Sequence, residues 1–327
     1  MMSPKRAASR LLTARNSIAL DRKLVWIMGS PRSGSTWLMY LLGEPPRIAA
    51  LQEPLIGLHL GLFASHIVDS REGTLPAGVR VRDLRDDDRY FFSDRQVSNW
   101  GPPLRKLILK RLAPHVPRRA RCLVVQEPNG SEGADLLMRV LPRSNLLFLL
   151  RDGRDVVDSL LDAYRQGSWL DEAFGVGQNL AGPARVRLIE REAQRWVARA
   201  EIVSRAFERH PPGRRLLVRY EDLLADTPKE LRSIYSWLSL PPPADLQERV
   251  EARAFTALPD EARGPGKFSR AATAGLWREN LDPDEQDLCE KVMGPMLTRL
   301  GYQVGPGVSG PRPKPRPEGP AGTHGAG

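Results

Sequence analysis

Cysteine and lysine are the two residue types that this chain has in short supply. Among 327 residues there are two cysteines, Cys122 and Cys289, and only eight of the 49 basic residues are lysine. Neither cysteine lies in a C-x-x-C motif, and no Cys/His spacing suggests a zinc site. Two unpaired cysteines in a chain of this length are typical of a reducing compartment. We therefore expect free thiols and a cytoplasmic protein.

Long apolar runs are also missing, and no stretch reaches the length of a membrane span. Residues 1–22 are basic and lack the apolar segment of a secretory signal. They fit a mitochondrial transit peptide loosely, and we interpret them as a flexible arm. Residues 303–327 are rich in proline and glycine, which predicts a disordered tail. Residues 23–302 remain as one predicted domain.

The scarcity of lysine makes the positive charge largely an arginine charge, with a formal net charge of +10. Acidic and basic residues alternate along the chain, and no nucleic-acid-binding motif is present. We therefore expect no nucleic acid as the main partner. Guanidinium groups match phosphate and sulfate oxygens with paired hydrogen bonds, so an anionic small molecule is the more natural ligand.

Short apolar runs alternate with amphipathic segments, which predicts an α/β domain with a mostly parallel sheet and helices on both faces. Two helix openings are explicit, because Thr227 and Asp282 each precede a proline and read as N-caps. The predicted strands are LVWIMG (24–29), RIAALQEP (47–54), CLVVQ (122–126), NLLFLL (145–150) and RRLLVRY (214–220).

The segment GSPRSGST, residues 29–36, follows the first of these strands and opens a helix. It fits the ATP-binding loop G-x-x-x-x-G-K-[ST] except that Ser35 stands where the lysine should be. A glycine-rich turn at a helix N-terminus binds an anion through backbone N–H groups. The missing lysine argues against a nucleoside triphosphate with Mg²⁺, and Arg32 is a candidate for the positive charge instead.

A second candidate site follows the strand NLLFLL, where Arg151 ends the strand and Ser159 lies eight residues further, inside a helix. After a short turn, both side chains can reach one anion. Gln126 and Tyr220 end two other strands. Because ligands of parallel sheets bind beyond the carboxyl ends of the strands, these residues and the glycine-rich loop should converge on one crevice.

Four segments, in this order, resemble the sulfotransferase family. GSPRSGSTWL resembles the 5′-phosphosulfate loop, usually written P-[KR]-[ST]-G-[ST]-[ST]-[WL], and LLRDGRDVVDSLL resembles the 3′-phosphate motif. RLLVRYEDLLADTPKELRSIYSWLSL is similar to the strand–YEDL–helix segment, and GLWRENLDPDEQ to the C-terminal nucleotide-loop region. The resemblance covers roughly residues 23–302. It implies a single P-loop-type domain that transfers sulfonate from 3′-phosphoadenosine 5′-phosphosulfate to a hydroxyl of a small-molecule, lipid or glycan acceptor, without a metal.

The resemblance also implies roles for individual residues. Arg32 would face the sulfonate, Tyr220 the adenine, and Arg151 and Ser159 the 3′-phosphate. A late loop would close over the 3′-phosphate. The implied contacts of the 5′-phosphate are Ser33, Gly34, Ser35, Thr36 and Trp37, and those of the late loop are Lys267, Ser269 and Arg270.

A general base must take the proton of the acceptor. Family members of the cytosolic aryl type use a histidine after the strand that corresponds to CLVVQ, whereas this chain reads Gln126-Glu127-Pro128. It is more similar to the glycan and tyrosyl-protein type, which uses a glutamate. Glu53, 21 residues after Arg32, is the preferred candidate, and Glu127 is the alternative.

One position departs from the pattern, because relatives commonly carry a lysine where this chain has Gln126. If that lysine supports the leaving sulfonate, this chain has one cation fewer. Either Arg32 then carries more of that role, or a cation from an insertion at residues 57–120 replaces the lysine. We interpret this insertion as a lid on the acceptor side. A P-loop kinase and a non-catalytic nucleotide-binding protein remain the alternative functions.

Overall fold

Five strands form one parallel sheet in the computed structural model, which describes residues 19–43, 47–59, 88 and 91–305. The strand order is β2-β3-β1-β4-β5. This confirms the predicted α/β fold. The strands are β1 (Leu24–Gly29), β2 (Ile48–Gln52), β3 (Cys122–Gln126), β4 (Asn145–Leu150) and β5 (Arg215–Arg219).

Helices surround the sheet, and the longest of them packs across one face against the C-terminal helix. In chain order the helices are α1 (Ser35–Leu42), α2 (Ile56–His59), α3 (Val97–Leu112), α4 (Ala134–Val140), α5 (Gly153–Tyr164), α6 (Trp169–Phe174), α7 (Pro183–Arg209), α8 (Tyr220–Ala225), α9 (Thr227–Trp237), α10 (Leu246–Ala252), α11 (Trp277–Asn280) and α12 (Pro283–Arg299).

The central strand β1 shows why the sheet is covered on both sides. All six of its residues are buried. Because successive side chains of a strand point to opposite faces, Trp26 belongs to the core on one side of the sheet, whereas Val25 and Ile27 belong to the core on the other. A continuous apolar run is the expected sequence of such a strand.

The position of β1 also places the functional site. Strand β3 pairs with one edge of β1 and strand β4 with the other, so the order of the chain reverses at β1. Crevices at such a switch point, beyond the carboxyl ends of the strands, are where parallel sheets bind ligands. The loop after β1 lies at this point.

The cap of helix α9 differs from the sequence prediction. Asp226, and not Thr227, is the N-cap, and its side chain accepts a hydrogen bond from the Lys229 N–H. The Thr227 hydroxyl instead donates to the Leu223 carbonyl, because the preceding helix α8 ends only two residues earlier. The prediction for Asp282 is confirmed, with a full capping box at Glu285.

Only part of the predicted lid falls within the described residues. Helix α3 packs Trp100, Leu104 and Ile108 into the core on one face of the sheet. This part of the insertion therefore belongs to the body of the domain. Residues 60–87 and 89–90 of the predicted lid lie outside the described part of the chain, as do residues 1–18 of the predicted arm and 306–327 of the predicted tail.

Candidate active site

A cavity of about 620 Å³ opens at the carboxyl ends of the strands. It brings together most of the residues that the sequence singles out. Those lining it are Arg32, Gly34, Ser35, Thr36, Trp37, Glu53, Arg151, Ser159, Tyr220, Ser269 and Arg270.

The loop between β1 and α1 forms one wall of this cavity. Gly34 has a φ of 82°, and a Cβ at this position would lie 2.7 Å from the ring of Tyr220. Glycine is therefore required both by the backbone conformation and by the close approach of the ring. The turn leads directly into α1, whose first residues line the cavity. Backbone N–H groups at the start of a helix are able to bind an anion.

Arg151 and Ser159 lie beside this loop, as the sequence predicts. Arg151 donates from Nη1 to the Arg32 carbonyl over 2.7 Å, and its guanidinium group stacks 4.4 Å from the ring centre of Tyr220. The Arg151 Nε is buried and has no partner among the described residues. Strand β4 and helix α5 thus hold two hydrogen-bonding groups next to the loop after β1.

Arg32 takes an unusual backbone conformation, with a φ of 66°. Its guanidinium group packs against two rings, 5.6 Å from the centre of Trp169 and 5.1 Å from that of Phe268. It donates to Ser159 Oγ (3.0 Å) and to the Phe268 carbonyl (2.8 Å). Burial, and then the neighbouring charge of Arg151, lowers the pKa of Arg32 to about 10. The side chain is therefore still a cation at neutral pH.

Two aromatic residues form the outer wall near helix α10. The rings of Trp37 and Tyr220 meet edge to face, with centres 6.4 Å apart. The Trp37 Nε1 donates to the Arg253 carbonyl over 3.0 Å. This wall offers flat apolar surface close to the anion-binding groups, which suits a nucleobase.

A loop of residues 264–276, the closing loop, lines part of the cavity and is bonded to α5. Three acids on one face of that helix hold it. The Gly266 N–H donates to Asp162 Oδ2 (2.8 Å), the Gly275 N–H donates to Asp155 Oδ2 (2.7 Å), and Arg270 forms an ion pair with Asp158.

The structure separates the three residues predicted in this loop. Ser269 and Arg270 line the cavity, whereas Lys267 is exposed and lies outside its lining. The reason is a turn in which the Lys267 N–H donates to the Gly264 carbonyl (3.1 Å). Phe268, rather than Lys267, contacts Arg32.

The two glutamates considered as bases are close to each other but differ in environment. Glu53 is half-buried and lines the cavity, with Oε1 3.2 Å from Gln126 Nε2 and Oε2 2.9 Å from Asn129 Nδ2. Glu127 is fully buried and does not line the cavity. Its carboxylate accepts the N–H groups of Leu55 (3.1 Å) and Gly57 (3.3 Å).

Burial dominates the electrostatics of Glu127. It raises the pKa of this carboxyl to about 7, against backbone hydrogen bonds from Gly57, Leu55 and Ile56, which lower it. The nearby charge of Glu53 raises it further. A carboxyl that faces backbone N–H groups inside the protein is poorly placed to meet a substrate.

Sequence reasoning misses several residues that shape the cavity. Trp169, Leu170 and Phe174 of α6 form an apolar wall, and Phe268 joins it from the closing loop. The spacing of the three acids on α5 is a signal that could have been found, since residues 155, 158 and 162 share one helix face. The wall of α6 has no such signal, because its segment matches no motif.

A family model described as the sulfotransferase family matches residues 25–244, which is more than half of the chain. The chain belongs to the sulfotransferase family. Membership identifies the protein as an enzyme that transfers a sulfonate group, and the sulfotransferase has the five-stranded parallel sheet described above. No curated protein sequence matches it significantly.

Several solved structures are similar to this sulfotransferase at low identity. Sulfotransferase STF9 from Mycobacterium avium is 15% identical, with 90% of this chain and 82% of that chain covered and a TM-score of 0.49. The sulfotransferase domain from the curacin biosynthetic pathway is 18% identical, with 86% and 98% covered and a TM-score of 0.46. A domain from the Synechococcus PCC 7002 olefin synthase is 19% identical, with 86% and 95% covered and a TM-score of 0.46.

The described residues of the sulfotransferase contain no cluster of three or more His, Cys, Asp or Glu side chains arranged to hold a metal ion. None of their helices has the length and apolar character needed to cross a membrane. Cys122 and Cys289 are both buried and unpaired.

Proposed function

We propose that this sulfotransferase moves a sulfonate group from 3′-phosphoadenosine 5′-phosphosulfate to a hydroxyl of a small-molecule, lipid or glycan acceptor. The observation that carries the proposal is the meeting of two features in one cavity. The loop after β1, Arg151 and Ser159, which offer groups for an anion, line the same cavity as the carboxylate of Glu53.

The residues on the donor side fit a nucleotide with phosphates at both ends of its ribose. The backbone N–H groups that open α1, with Ser35 and Thr36, would hold the 5′-phosphate. Arg151 and Ser159 would hold the 3′-phosphate. The buried Arg151 Nε has no partner among the described residues and is a group that a phosphate oxygen would satisfy. The Ser33 Oγ also has no partner there, but Ser33 does not line the cavity.

The aromatic wall and the closing loop complete the proposed donor site. Tyr220 and Trp37 would flank the adenine, since their rings lie beside the cations and the helix N-terminus. Ser269 and Arg270 would close over the 3′-phosphate. Arg270 is paired with Asp158. When it contacts the phosphate, its positive charge would therefore be shared with that carboxylate.

The donor supplies a sulfonate that is activated by its bond to a phosphate oxygen. The acceptor oxygen forms a bond to sulfur as the bond from sulfur to the phosphate oxygen breaks, in line with it. Glu53 accepts the proton of the acceptor hydroxyl, and the positive charge of Arg32 stabilises the oxygens on the leaving side. We expect no metal to take part, and activity should therefore persist in a chelator.

The acceptor would enter along α6, where Trp169, Leu170 and Phe174 line the cavity. We expect the acceptor to contact residues of the segments 55–120 and 165–185. The chemical class of the acceptor stays open among the three named above.

Calorimetry with three nucleotides tests the donor assignment. The proposal expects 3′-phosphoadenosine 5′-phosphate to bind far more tightly than adenosine 5′-phosphate, and ATP–Mg²⁺ to bind weakly. Preference for ATP–Mg²⁺ would point to a kinase instead. Tight binding of the bisphosphate without any turnover of the donor would point to a non-catalytic nucleotide-binding protein.

A further inference from the structure

Gln126 is the last residue of β3 and is completely buried between the loop after β1 and Glu53. Its Nε2 lies 2.9 Å from Ser35 Oγ, 3.3 Å from Thr36 Oγ1 and 3.2 Å from Glu53 Oε1. One side-chain amide therefore bridges the donor side and the proposed base.

The direction of this amide is set by the carboxylate. An ionised carboxylate only accepts hydrogen bonds, so the NH₂ group of Gln126 must face Glu53. The Gln126 Oε1 accordingly has no partner among the described residues. A hydroxyl has one proton and two acceptor lone pairs, so Ser35 can give its proton to a phosphate and still accept from Gln126.

Asn129 holds the other oxygen of the same carboxylate, with its Nδ2 2.9 Å from Glu53 Oε2. Both oxygens of Glu53 are thus bonded to neutral amides, which fixes the rotation of the carboxylate. A lysine in place of Gln126 would add a cation, and a nearby cation favours the charged form of a carboxylate and makes it a weaker base. Two neutral donors also favour the charged form, but by less than a full positive charge would, so they orient the group at a smaller cost in base strength.

The backbone under Glu53 is also held by residues that follow β3. Glu53 and Leu55 have positive φ values of 40° and 54°, which residues other than glycine adopt only when the surroundings impose them. Glu127 binds the N–H groups of Leu55 and Gly57, and the Glu53 N–H donates to the Gln126 carbonyl over 2.9 Å. The end of β3 thus supports both the turn and the carboxylate.

We propose that Gln126 is a positioning residue of the transfer reaction. It orients the Glu53 carboxylate toward the acceptor, and it links this orientation to the hydroxyls of Ser35 and Thr36 in the donor-binding loop. Asn129 shares the first of these tasks. The inference rests on the proposed function, because it assigns Glu53 as the base. It gives Gln126 a role of its own, whereas the sequence expectation concerns only which cation replaces the missing lysine.

A double-mutant cycle on Gln126 and Glu53 tests this role, since residues that act through one another are non-additive. Turnover is followed as release of 3′-phosphoadenosine 5′-phosphate from labelled donor, with water as the acceptor so that no hydroxyl compound need be known. We expect Gln126→Met to lower turnover about 10- to 100-fold, the range for losing a hydrogen bond to a charged group. In a Glu53→Gln background the same change should cost less than about 3-fold.

The affinity for the bisphosphate distinguishes a loss of positioning from a general disruption of the site. Calorimetry should show that Gln126→Met changes the Kd for the bisphosphate by less than about 5-fold, because its loss falls on the transition state. Gln286→Met is the matched control. It removes an amide that donates to the carbonyls of Arg278 (3.1 Å) and Leu281 (2.8 Å), outside the cavity lining, and should leave turnover unchanged.

Three results would overturn the inference. One is an equal loss from Gln126→Met in both backgrounds, and another is a loss of binding as large as the loss of turnover. If Gln126→Met does not fold, Asn129→Leu runs the same cycle, and additivity there contradicts the shared task. Absence of bisphosphate release by the wild type, with water and with every hydroxyl compound of an acceptor panel, would instead remove the proposed function, and this inference with it.

Discussion

On the donor side of the cavity the polar contacts come from the cations Arg32 and Arg151 and from the start of α1, whereas on the transfer side one carboxylate, Glu53, is held by the neutral amides of Gln126 and Asn129. Cations and helix N-termini suit a ligand with permanent negative charge. Neutral donors suit a carboxylate that must be oriented and still take a proton. The two sides should therefore fail in different ways when they are mutated.

The largest difference between an effect on turnover and an effect on donor binding is expected for Glu53→Gln. Loss of a general base lowers kcat about 10²- to 10⁴-fold, while the donor contacts stay intact. Steady-state turnover and calorimetry with the bisphosphate measure the two quantities on one protein. Full activity of this variant would move the proposed base to Glu127.

A second test concerns Glu127, which we place beneath the transfer side as a structural acid. Burial raises its pKa from 4.5 to about 7, so the folded protein binds its proton more tightly than the unfolded chain does. The free energy of unfolding should therefore fall as pH rises from about 4.5 to 7. At about 1.4 kcal/mol for each pH unit, the total is about 3 kcal/mol.

Denaturant unfolding measures this loss for the wild type and for Glu127→Gln. The pH range runs from about 4 to about 8, so that it includes the pKa of Glu127 in the unfolded chain and in the folded protein. The wild type should lose stability relative to the variant across the window, because the variant has no carboxyl to ionise. Glu248→Gln, at an exposed position on α10, serves as the control. Parallel curves for the wild type and Glu127→Gln would show that Glu127 ionises freely in the folded protein.

On the donor side, Arg151→Ala should weaken the bisphosphate about 10- to 100-fold, the range for a hydrogen bond to a charged group. Adenosine 5′-phosphate, which lacks the 3′-phosphate, should be weakened much less. Arg299→Ala, which removes an exposed ion pair with Glu208, is the control. Equal weakening of both nucleotides would contradict the assignment of the 3′-phosphate.

The smallest effect is expected for Ser159→Ala. It removes one neutral hydrogen-bond partner of Arg32 and one proposed contact of the 3′-phosphate, so the Kd for the bisphosphate should rise about 2- to 10-fold. Calorimetry against the wild type measures it. An unchanged Kd would show that Ser159 does not contact the 3′-phosphate, and only Arg151 of this pair would remain a proposed ligand.

The donor side is also the side that the sequence predicts better. Gly34 is recognised because glycine spacing marks the turn, and Arg151 because an apolar run ends at it. The contact between Gln126 and Glu53 has no local signal. It exists because β2 and β3 pair in register from Ile48 with Cys122 to Gln52 with Gln126, and register depends on the whole sheet.

The closing loop and α6 show a similar limit. The contact of Arg32 with Trp169 and Phe268 joins residues more than a hundred positions apart, and only the folded chain brings them together. The resemblance implies a donor contact for Lys267, but a local turn leaves this side chain exposed. The prediction of Thr227 as an N-cap is wrong, because helix α8 ends only two residues before it and helix α9 begins there.

The central claim is that this cavity transfers sulfonate from 3′-phosphoadenosine 5′-phosphosulfate to a hydroxyl. Its most direct test incubates the wild-type protein and labelled donor with a panel of phenols, sterols, lipids and sugars, and reads each acceptor by mass spectrometry. The account predicts that at least one acceptor gains the mass of one SO₃, in step with release of 3′-phosphoadenosine 5′-phosphate, and that Glu53→Gln abolishes the gain. Bisphosphate bound tightly with no acceptor or water sulfonated would contradict it.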